Sequence, residues 1–528
     1  MTAFTGVGPL VRFVLRRDRI YLAVWILAIV GIVYASLGAV RGLYDTPAKI
    51  AAYARTVEQS PASVAMAGPP LGLDRVGGIL IYETSLTALL GVALMAVFTV
   101  VRHTRREEDA GRVELLGSTV VSPHAVTTAA VLVSAGASVV IGAGVSAAFL
   151  SEQQPLEESL LYGASIAALG IVFTGVAAVA AQVMSHGRGA VGLSLGFLAV
   201  VFGIRAIGDV GENFMVWLSP MGWVQQVGVY DSNRWWPLGL ALGLTAVLLA
   251  STVVLESRRD LGSGILPPRP GPATGGSLLH GPVGLAWRLQ RGALAGWVVG
   301  VFGMGALLGS FSESIEDLIR ENPEIAEVFA SEATESMVEA YLAISLLLLG
   351  LGAAAYAVSS ALRLRGEESQ GRLESILATG VSRTRWFAGG LLVTLVTTTL
   401  LLASGGLGVG IAYALTSDRP EEVWGMTWAA LVYLPAVLLV ATVAVLLFGW
   451  APRASGVAWA VVAFTFVVGW LGALLEIPER VVDLSPFTHV PAVPAEVVAA
   501  TPLVAMGLAG LTAVGLGWVG FRRRDIST

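Results

Sequence analysis

The sequence predicts an all-α integral membrane protein with about twelve transmembrane helices in two homologous six-helix halves. Of the 528 residues, 55% are hydrophobic and 13% are charged, whereas about 25% of residues are charged in soluble domains. Apolar runs of about 20 residues, enough to cross a hydrocarbon core of about 30 Å, recur along the whole chain. Because these runs are continuous rather than alternating, they indicate helices and not the strands of a barrel.

The first half begins with a basic segment and continues with six predicted spans. Residues 1–19 set apolar against basic side chains, so they form either an amphipathic helix on the inner membrane surface or a basic flank that orients the first span. Many further spans follow the first, which favours an uncleaved helix over a signal peptide. The predicted spans cover about residues 20–40, 77–101, 125–150, 160–183, 190–207 and 238–255.

The stretch 209–237, between the fifth and sixth spans, is too apolar for a solvated loop and too interrupted for a span. It predicts a re-entrant or interfacial helical hairpin with tryptophans at the headgroup level; an ordinary aromatic belt is the alternative. A similar broken segment precedes the last span, and we expect both segments to act as an outer gate. The gate residues are Trp217, Pro220 and Trp223 in the first half and Pro486 and Phe487 in the second.

A proline- and glycine-rich linker at residues 258–283 divides the chain into a first transmembrane half, 1–257, and a second, 284–528. Landmarks recur in the same order on both sides of it, which indicates an internal repeat. One of them is the sequence Arg-Arg-Asp, at 258–260 and again at 523–525. The predicted spans of the second half cover about residues 293–311, 338–362, 386–415, 428–448, 456–475 and 503–521, with an acidic loop at 313–335.

The composition excludes several kinds of chemistry. The chain has no cysteine, so it forms no disulfide, thiolate metal site or cysteine nucleophile. Its only lysine, Lys49, lies in Pro-Ala-Lys-Ile, whereas a Walker-type ATPase site needs Gly-Lys followed by Ser or Thr. The five histidines have no metal-ligand spacing, and no paired carboxylates lie at membrane depth. We therefore expect no metal site, and a membrane-embedded enzyme is disfavoured.

Two charged islands, residues 102–124 and 363–385, directly follow the second and eighth predicted spans. Each island contains the pattern Glu-Glu-x-x-Gly-Arg-x-Glu, which composition alone does not explain in so apolar a chain. The pattern consists of Glu107, Glu108, Gly111, Arg112 and Glu114 in the first island, and of Glu367, Glu368, Gly371, Arg372 and Glu374 in the second.

If each island forms one helix, residues 107, 111 and 114 lie on one face. Gly111 would then leave a notch between two carboxylates where another chain can approach. Glu108 and Arg112 would form a pair at i and i+4, worth about 0.2–0.5 kcal/mol. A solvated loop is the alternative, but the recurrence of the pattern favours an interaction site, and we expect Glu107 and Glu367 to contact the partner.

The distribution of charge sorts the loops into two sides. If both termini, both islands and the linker share one side, that side carries most of the 32 basic residues and the other side most of the 37 acidic residues. Basic residues lie on the cytoplasmic side, so we expect a multi-pass protein of the cell membrane with cytoplasmic termini and islands. An even number of spans per half makes the halves parallel repeats about an axis along the membrane normal.

These features together resemble the permeases of ABC exporters of the ABC-2 class, also described as type V or ABCG-like. The fused twelve-span form with an island in each half is similar to exporters of the tetronasin or polyketide-antibiotic type. In that family, cytoplasmic coupling helices dock on separate ATPase subunits, so the resemblance implies that the residues of both island patterns are docking residues.

The resemblance also implies the partners and the direction of transport. Two copies of a separate ABC ATPase would bind ATP and Mg²⁺, with no cofactor in this chain. The other partners would be membrane lipid and a hydrophobic small-molecule substrate, and no nucleic acid. ATP-driven alternating access would move the substrate out of the cell, along a path between the two halves.

The scarcity of charge within the predicted spans bears on the substrate and on the main alternative. Arg205, Asp209 and Glu83 lie near outer ends of spans, and charge at mid-membrane is costly and usually functional. We therefore expect an apolar or amphiphilic substrate. The alternative is an ion-coupled secondary transporter of the major-facilitator type, whose signature includes the Asp-x-Gly-Arg found at 109–112. The missing upstream glycine and the missing proton-relay carboxylates oppose it.

Overall fold

The structure, a computed structural model, describes residues 5–44, 46–58, 60–266, 276, 281–312, 333–417, 419–471 and 478–526. The chain is all-helical, with 81% of it in helices, and no strand occurs in the described ranges. Twelve of the described helices are long and apolar enough to cross a membrane. The predicted fold class is therefore confirmed. Most of the predicted acidic loop at 313–335, much of the linker and the end of the eleventh predicted span lie outside the described residues.

The chain divides into two compact units, Met1–Gly271 and Pro272–Thr528, and the division falls within the predicted linker. Each unit has a hydrophobic core of its own. The first unit opens with a helix, Val7–Arg17, which buries Val14 and leaves Phe13 exposed. Its six spanning helices are Arg19–Leu43, Val76–His103, Ala125–Ser151, Leu156–Val183, Gly187–Val210 and Trp236–Glu256.

The fourth span, Leu156–Val183, is the most buried of the first unit. Small residues let the neighbouring third span approach it closely. A Cβ added at Gly142 would lie 2.3 Å from the carbonyl oxygen of Gly163, so only glycine fits there. Close approach through small residues is typical of helix packing in membranes, and here it brings the backbones of the third and fourth spans into contact.

The second unit repeats the order of elements. A second span leads into two short helices, and a 3₁₀ helix precedes the last span. The spanning helices are Pro282–Ser310, Ala333–Ala361, Arg383–Ser417, Glu422–Val432 continued by Leu434–Trp450, the 3₁₀ helix Pro452–Val457 continued by Ala458–Leu471, and Ala500–Arg523.

The tenth span, predicted at about residues 428–448, is present as Glu422–Trp450 and has one interruption. It is broken at Tyr433, between Glu422–Val432 and Leu434–Trp450. Pro435 lies at the start of the second segment, and proline has no backbone N–H to donate to the preceding turn. Tyr433 is buried there, with its ring 6.4 Å from that of Phe487.

Candidate functional site

Each charged island folds as two short helices joined by a left-handed glycine. In the first unit, Arg105–Asp109 and Arg112–Gly117 flank Gly111, whose φ is 69°. In the second unit, Arg363–Ser369 and Arg372–Ala378 flank Gly371, whose φ is 70°. This backbone conformation is unfavourable for residues with a Cβ, which explains the glycine in both patterns.

The prediction of one helix per island is therefore wrong. The left-handed residue turns the chain, so residues 107, 111 and 114 do not share a helix face. Glu108 and Arg112 do not form the predicted i and i+4 pair either. Arg112 instead turns back to Glu107, with its Nη2 atom 3.0 Å from Oε1, and this hydrogen bond raises the pKa of the exposed Arg112 guanidinium.

The second island repeats this ion pair. Arg372 donates to Glu367 through two nitrogens, with Nη2 3.0 Å from Oε1 and Nε 2.9 Å from Oε2. Such two-point contacts between a guanidinium and a carboxylate fix orientation as well as charge. The two carboxylates are mostly covered, with side chains that are 13% exposed for Glu107 and 19% exposed for Glu367.

The second carboxylate of each pattern is buried against an arginine that follows the last span of the same unit. Arg259 donates to Glu108 through Nη1, 2.6 Å from Oε1, and Nη2, 3.0 Å from Oε2. Arg524 donates to Glu368 in the same two-point manner, with Nη2 2.7 Å from Oε2. The Glu368 side chain is fully buried. Each island is thereby fastened to the end of its unit's last span.

Further contacts extend the first island's attachment. Arg105, fully buried, donates to Glu108 at 2.6 Å. The Asp109 carboxylate accepts a 2.7 Å hydrogen bond from the backbone N–H of Gly187, the first residue of the fifth span. The first island and these helix ends therefore lie at one end of the first unit, the island end. Val210, at the other end of the fifth span, marks the opposite, far end.

The first unit also carries a buried charged cluster below its island. Asp18, 1% exposed, lies 2.5 Å from Nε2 of His103 and 3.3 Å from Arg102. Arg17 donates to Glu107 at 2.9 Å, so the N-terminal helix is tied to the island. In the second unit, Gln290 of the first spanning helix accepts a 2.6 Å hydrogen bond from Ser360 of the second. This contact between uncharged side chains lies between the first two spans of that unit.

The exposed part of each island is its second short helix. Glu114 and Glu374 are exposed, and the Leu115 side chain is 72% exposed beside Glu114. Arg112 and Arg372 lie on the same surface, each half-covered by its glutamate. Of the predicted docking residues, these are therefore the ones that present charge to solvent, while Glu108 and Glu368 are used inside the unit.

The predicted gate segments lie at the far end of each unit. In the first, the 3₁₀ helix Phe214–Leu218 and the helix Pro220–Gln225 form a compact pair. Trp223 donates from Nε1 to the Trp217 carbonyl at 2.6 Å. The Trp217 ring stacks on Trp236 at 5.0 Å. The tryptophans therefore pack as a fixed unit.

The second gate segment is shorter. Pro486 begins the 3₁₀ helix Pro486–His489, and Phe487 is 3% exposed.

In the first gate segment, Pro220 is likewise buried at the start of its helix. It follows Ser219, whose side chain accepts a hydrogen bond from the backbone N–H of Gly222. Proline is favoured at such first positions because its missing N–H is not needed there. A Cβ at Gly208 would lie 2.3 Å from the Val216 nitrogen, so the first gate segment packs directly on the fifth span.

Sequence reasoning missed the arginines that hold the islands. Arg259 and Arg524 belong to the repeated Arg-Arg-Asp landmark, so their recurrence was a usable signal. The pairing of Asp18 with His103 joins distant parts of the chain, and no motif marks it. Within the described residues, no group of three His, Asp or Glu side chains is placed to hold a metal ion.

The left-handed glycines give a direct test of the island geometry. We expect Gly111→Ala to destabilise the protein by about 1–2 kcal/mol, the cost of a left-handed conformation for a residue with a Cβ. In the described structure no atom lies within 4 Å of the added Cβ, so the cost is purely conformational. Gly366, helical and equally open, is the matched control, and Gly366→Ala should stabilise by about 0.5–1 kcal/mol. Unfolding of the purified variants measures both, and effects of the same sign would contradict the assignment.

Comparison with known proteins places the chain in a family. Residues 279–522 match the family described as the C-terminal domain of multidrug efflux system permease Rv1217c. The chain is also similar over its whole length to the multidrug efflux system permease protein Rv1217c of Mycobacterium tuberculosis. The two are 38% identical over 528 residues, covering 99% of this chain and 96% of that relative. The protein therefore belongs to the family of multidrug efflux system permeases and is a multi-pass membrane protein.

Proposed function

We propose that the chain is the permease subunit of an ATP-driven exporter of the ABC-2 class. It moves apolar or amphiphilic, drug-like compounds out of the cell by alternating access. The printed name of its relative, a multidrug efflux permease, supports the export of drug-like molecules. ATP hydrolysis needs a second protein, because the chain has no Walker-type lysine.

The observation that carries the proposal is the repetition of the island geometry. Both islands place a left-handed glycine between two short helices, bind Arg to the first Glu, and bury the second Glu against an arginine after the last span. Because the two islands have the same geometry, each would bind one copy of the same ATPase. In this arrangement the ATPases bind ATP and Mg²⁺, and the islands and both termini face the cytoplasm.

The buried ion pairs supply the mechanical connection. A force applied to the exposed helix of an island reaches the second span through the continuous chain at Thr104. It reaches the last span through Arg259 and Glu108, whose contact is nearly excluded from solvent. Because a buried pair is costly to break, the island and both helix ends move as one body. Closure of ATPases on ATP would thus tilt two spans of each unit together.

Affinity purification and reconstitution test this proposal. The tagged chain, isolated with the ABC ATPase expressed alongside it, should retain two ATPase copies per permease. In vesicles, the complex should accumulate a fluorescent amphiphilic dye only when ATP and Mg²⁺ are supplied. Uptake by the chain alone, driven by a proton gradient, would instead support the ion-coupled alternative.

A further inference from the structure

The first unit contains a cavity of about 790 Å³ at its far end, within the usual size of small-molecule sites. It lies between the end of the fifth span, the first gate segment and the chain that follows the short helix Pro61–Ala67. The residues relevant to its chemistry are Glu58, Asp209, Glu212, Phe214, Trp217 and Gln226.

The Arg205 guanidinium, one helical turn before Asp209, is already bound. The Arg205 side chain is fully buried and donates to the carbonyl oxygens of Val64, at 3.3 Å, and Met66, at 3.0 Å. It also lies over the Phe202 ring, 4.6 Å from the centroid. These carbonyls belong to the last turn of a short helix, where a positive charge is favourable. Arg205 therefore holds this helix against the fifth span.

Asp209 is left incompletely neutralised. Its side chain is fully buried, and only Oδ2 reaches Arg205, at a long 3.5 Å. The other oxygen, Oδ1, is buried and has no hydrogen bond of ordinary geometry to a described residue. The Gln226 side chain, which lines the same cavity, is the other polar group beside the Asp209 carboxylate. Buried polar atoms almost always have partners. Because Asp209 is one of the residues that line the cavity, its carboxylate lies close enough to attract a positively charged ligand there.

The remaining walls fit an organic rather than an inorganic cation. The Trp217 ring is held in a stack with Trp236, and Phe214 lies at the exposed side of the cavity. Aromatic faces attract organic cations within about 6 Å of the ring. Glu58 and Glu212, both exposed, add negative charge at the mouth and would repel anions.

We propose that this cavity binds a lipophilic organic cation, with its charge at Asp209 and its apolar groups against Trp217 and Phe214. The site names a substrate class for the exporter, and in that respect it rests on the proposed function. Cargo that leaves the membrane would be held here, at the end opposite the islands, before release. Binding itself requires no ATPase.

Binding of tetraphenylphosphonium to the purified full-length chain, without ATPase, tests the proposal. We expect saturable binding that Asp209→Asn weakens about tenfold, as loss of one close charge contact implies. Tetraphenylborate, which has the same shape and the opposite charge, should neither bind there nor compete. Glu421→Gln, an exposed carboxylate of the second unit, is the matched control and should bind like the unmodified protein.

The remaining outcomes are decisive as well. If Asp209→Asn does not fold, the double variant Glu58→Gln and Glu212→Gln, at exposed positions, should weaken binding about threefold to fivefold. Equal affinity for both probes, or unchanged binding in these variants, would overturn the cavity assignment. Because the ATPase is absent from the assay, such a result would leave the proposed docking of ATPases untouched. Conversely, cation binding by a chain that never associates with an ATPase would refute only the proposed energy source.

Discussion

Replacing Arg524 with alanine is expected to lower the free energy of unfolding by about 3 kcal/mol. The change leaves the fully buried carboxylate of Glu368 without its two-point partner, and removing one member of a buried ion pair costs about 3–5 kcal/mol. The lower figure applies because Arg365 remains within 3.7 Å of Glu368. Unfolding of the purified protein in mixed micelles measures the effect.

The neighbouring arginine provides the control for this prediction. Arg523 is exposed on the same turn, and Arg523→Ala should change stability by no more than about 0.5 kcal/mol. The double variant Arg524→Ala with Glu368→Gln should recover part of the loss, because the amide carries no buried charge. Equal stabilities of the two single variants would show that the arginine after the last span does not fasten the island.

Reversing the charge of the exposed glutamates, Glu114→Arg together with Glu374→Arg, is expected to reduce co-purified ATPase at least about tenfold. Both side chains lie on the solvent-facing short helix of an island. Juxtaposed like charges at an interface cost several kcal/mol, whereas exposed substitutions barely change the fold. The amount of co-purified ATPase should therefore fall, while the unfolding temperature of the permease should stay nearly unchanged.

The control reverses two exposed glutamates away from the islands, Glu157→Arg with Glu421→Arg. It should retain the full amount of ATPase. Glu107→Arg is a less suitable test, because Glu107 is bonded to both Arg112 and Arg17 within the unit. If the Glu114 and Glu374 variant keeps its ATPase, the exposed helices are not the docking surface.

The spanning helices were predictable because hydrocarbon thickness sets their length, charge is scarce within them, and charged residues mark many of their ends. The left-handed turn within each island was not predicted, although the glycine that causes it was part of the repeated pattern. Glycine within a charged stretch fits both a notch on a helix and a left-handed turn, and only the ion pair from Arg112 to Glu107 separates the two. The break of the tenth span at Tyr433 follows from Pro435, a residue that is easily overlooked within a continuous apolar run.

The contacts that fasten the islands depend on tertiary structure. The sequence repeats Arg-Arg-Asp after each half, but no spacing rule joins Arg259 to Glu108, so their pairing emerges only when the sixth span returns to the island end. The same holds for the far-end cavity. Arg205 and Asp209 are one helical turn apart and suggest a simple pair, yet the contact between them is long, and Arg205 donates at shorter distances to the carbonyls of Val64 and Met66.

Photocrosslinking from the islands tests the proposed docking most directly. The chain has no cysteine, so a benzophenone maleimide on Leu115→Cys or Ser375→Cys labels one exposed site in each island. We expect both to crosslink to an ABC ATPase in native membranes, identified by its Walker motif. Leu156→Cys, at a 61% exposed position at the far end, should give no such product. Absence of ATPase from both island products, or its equal recovery from Leu156→Cys, would contradict docking at the islands.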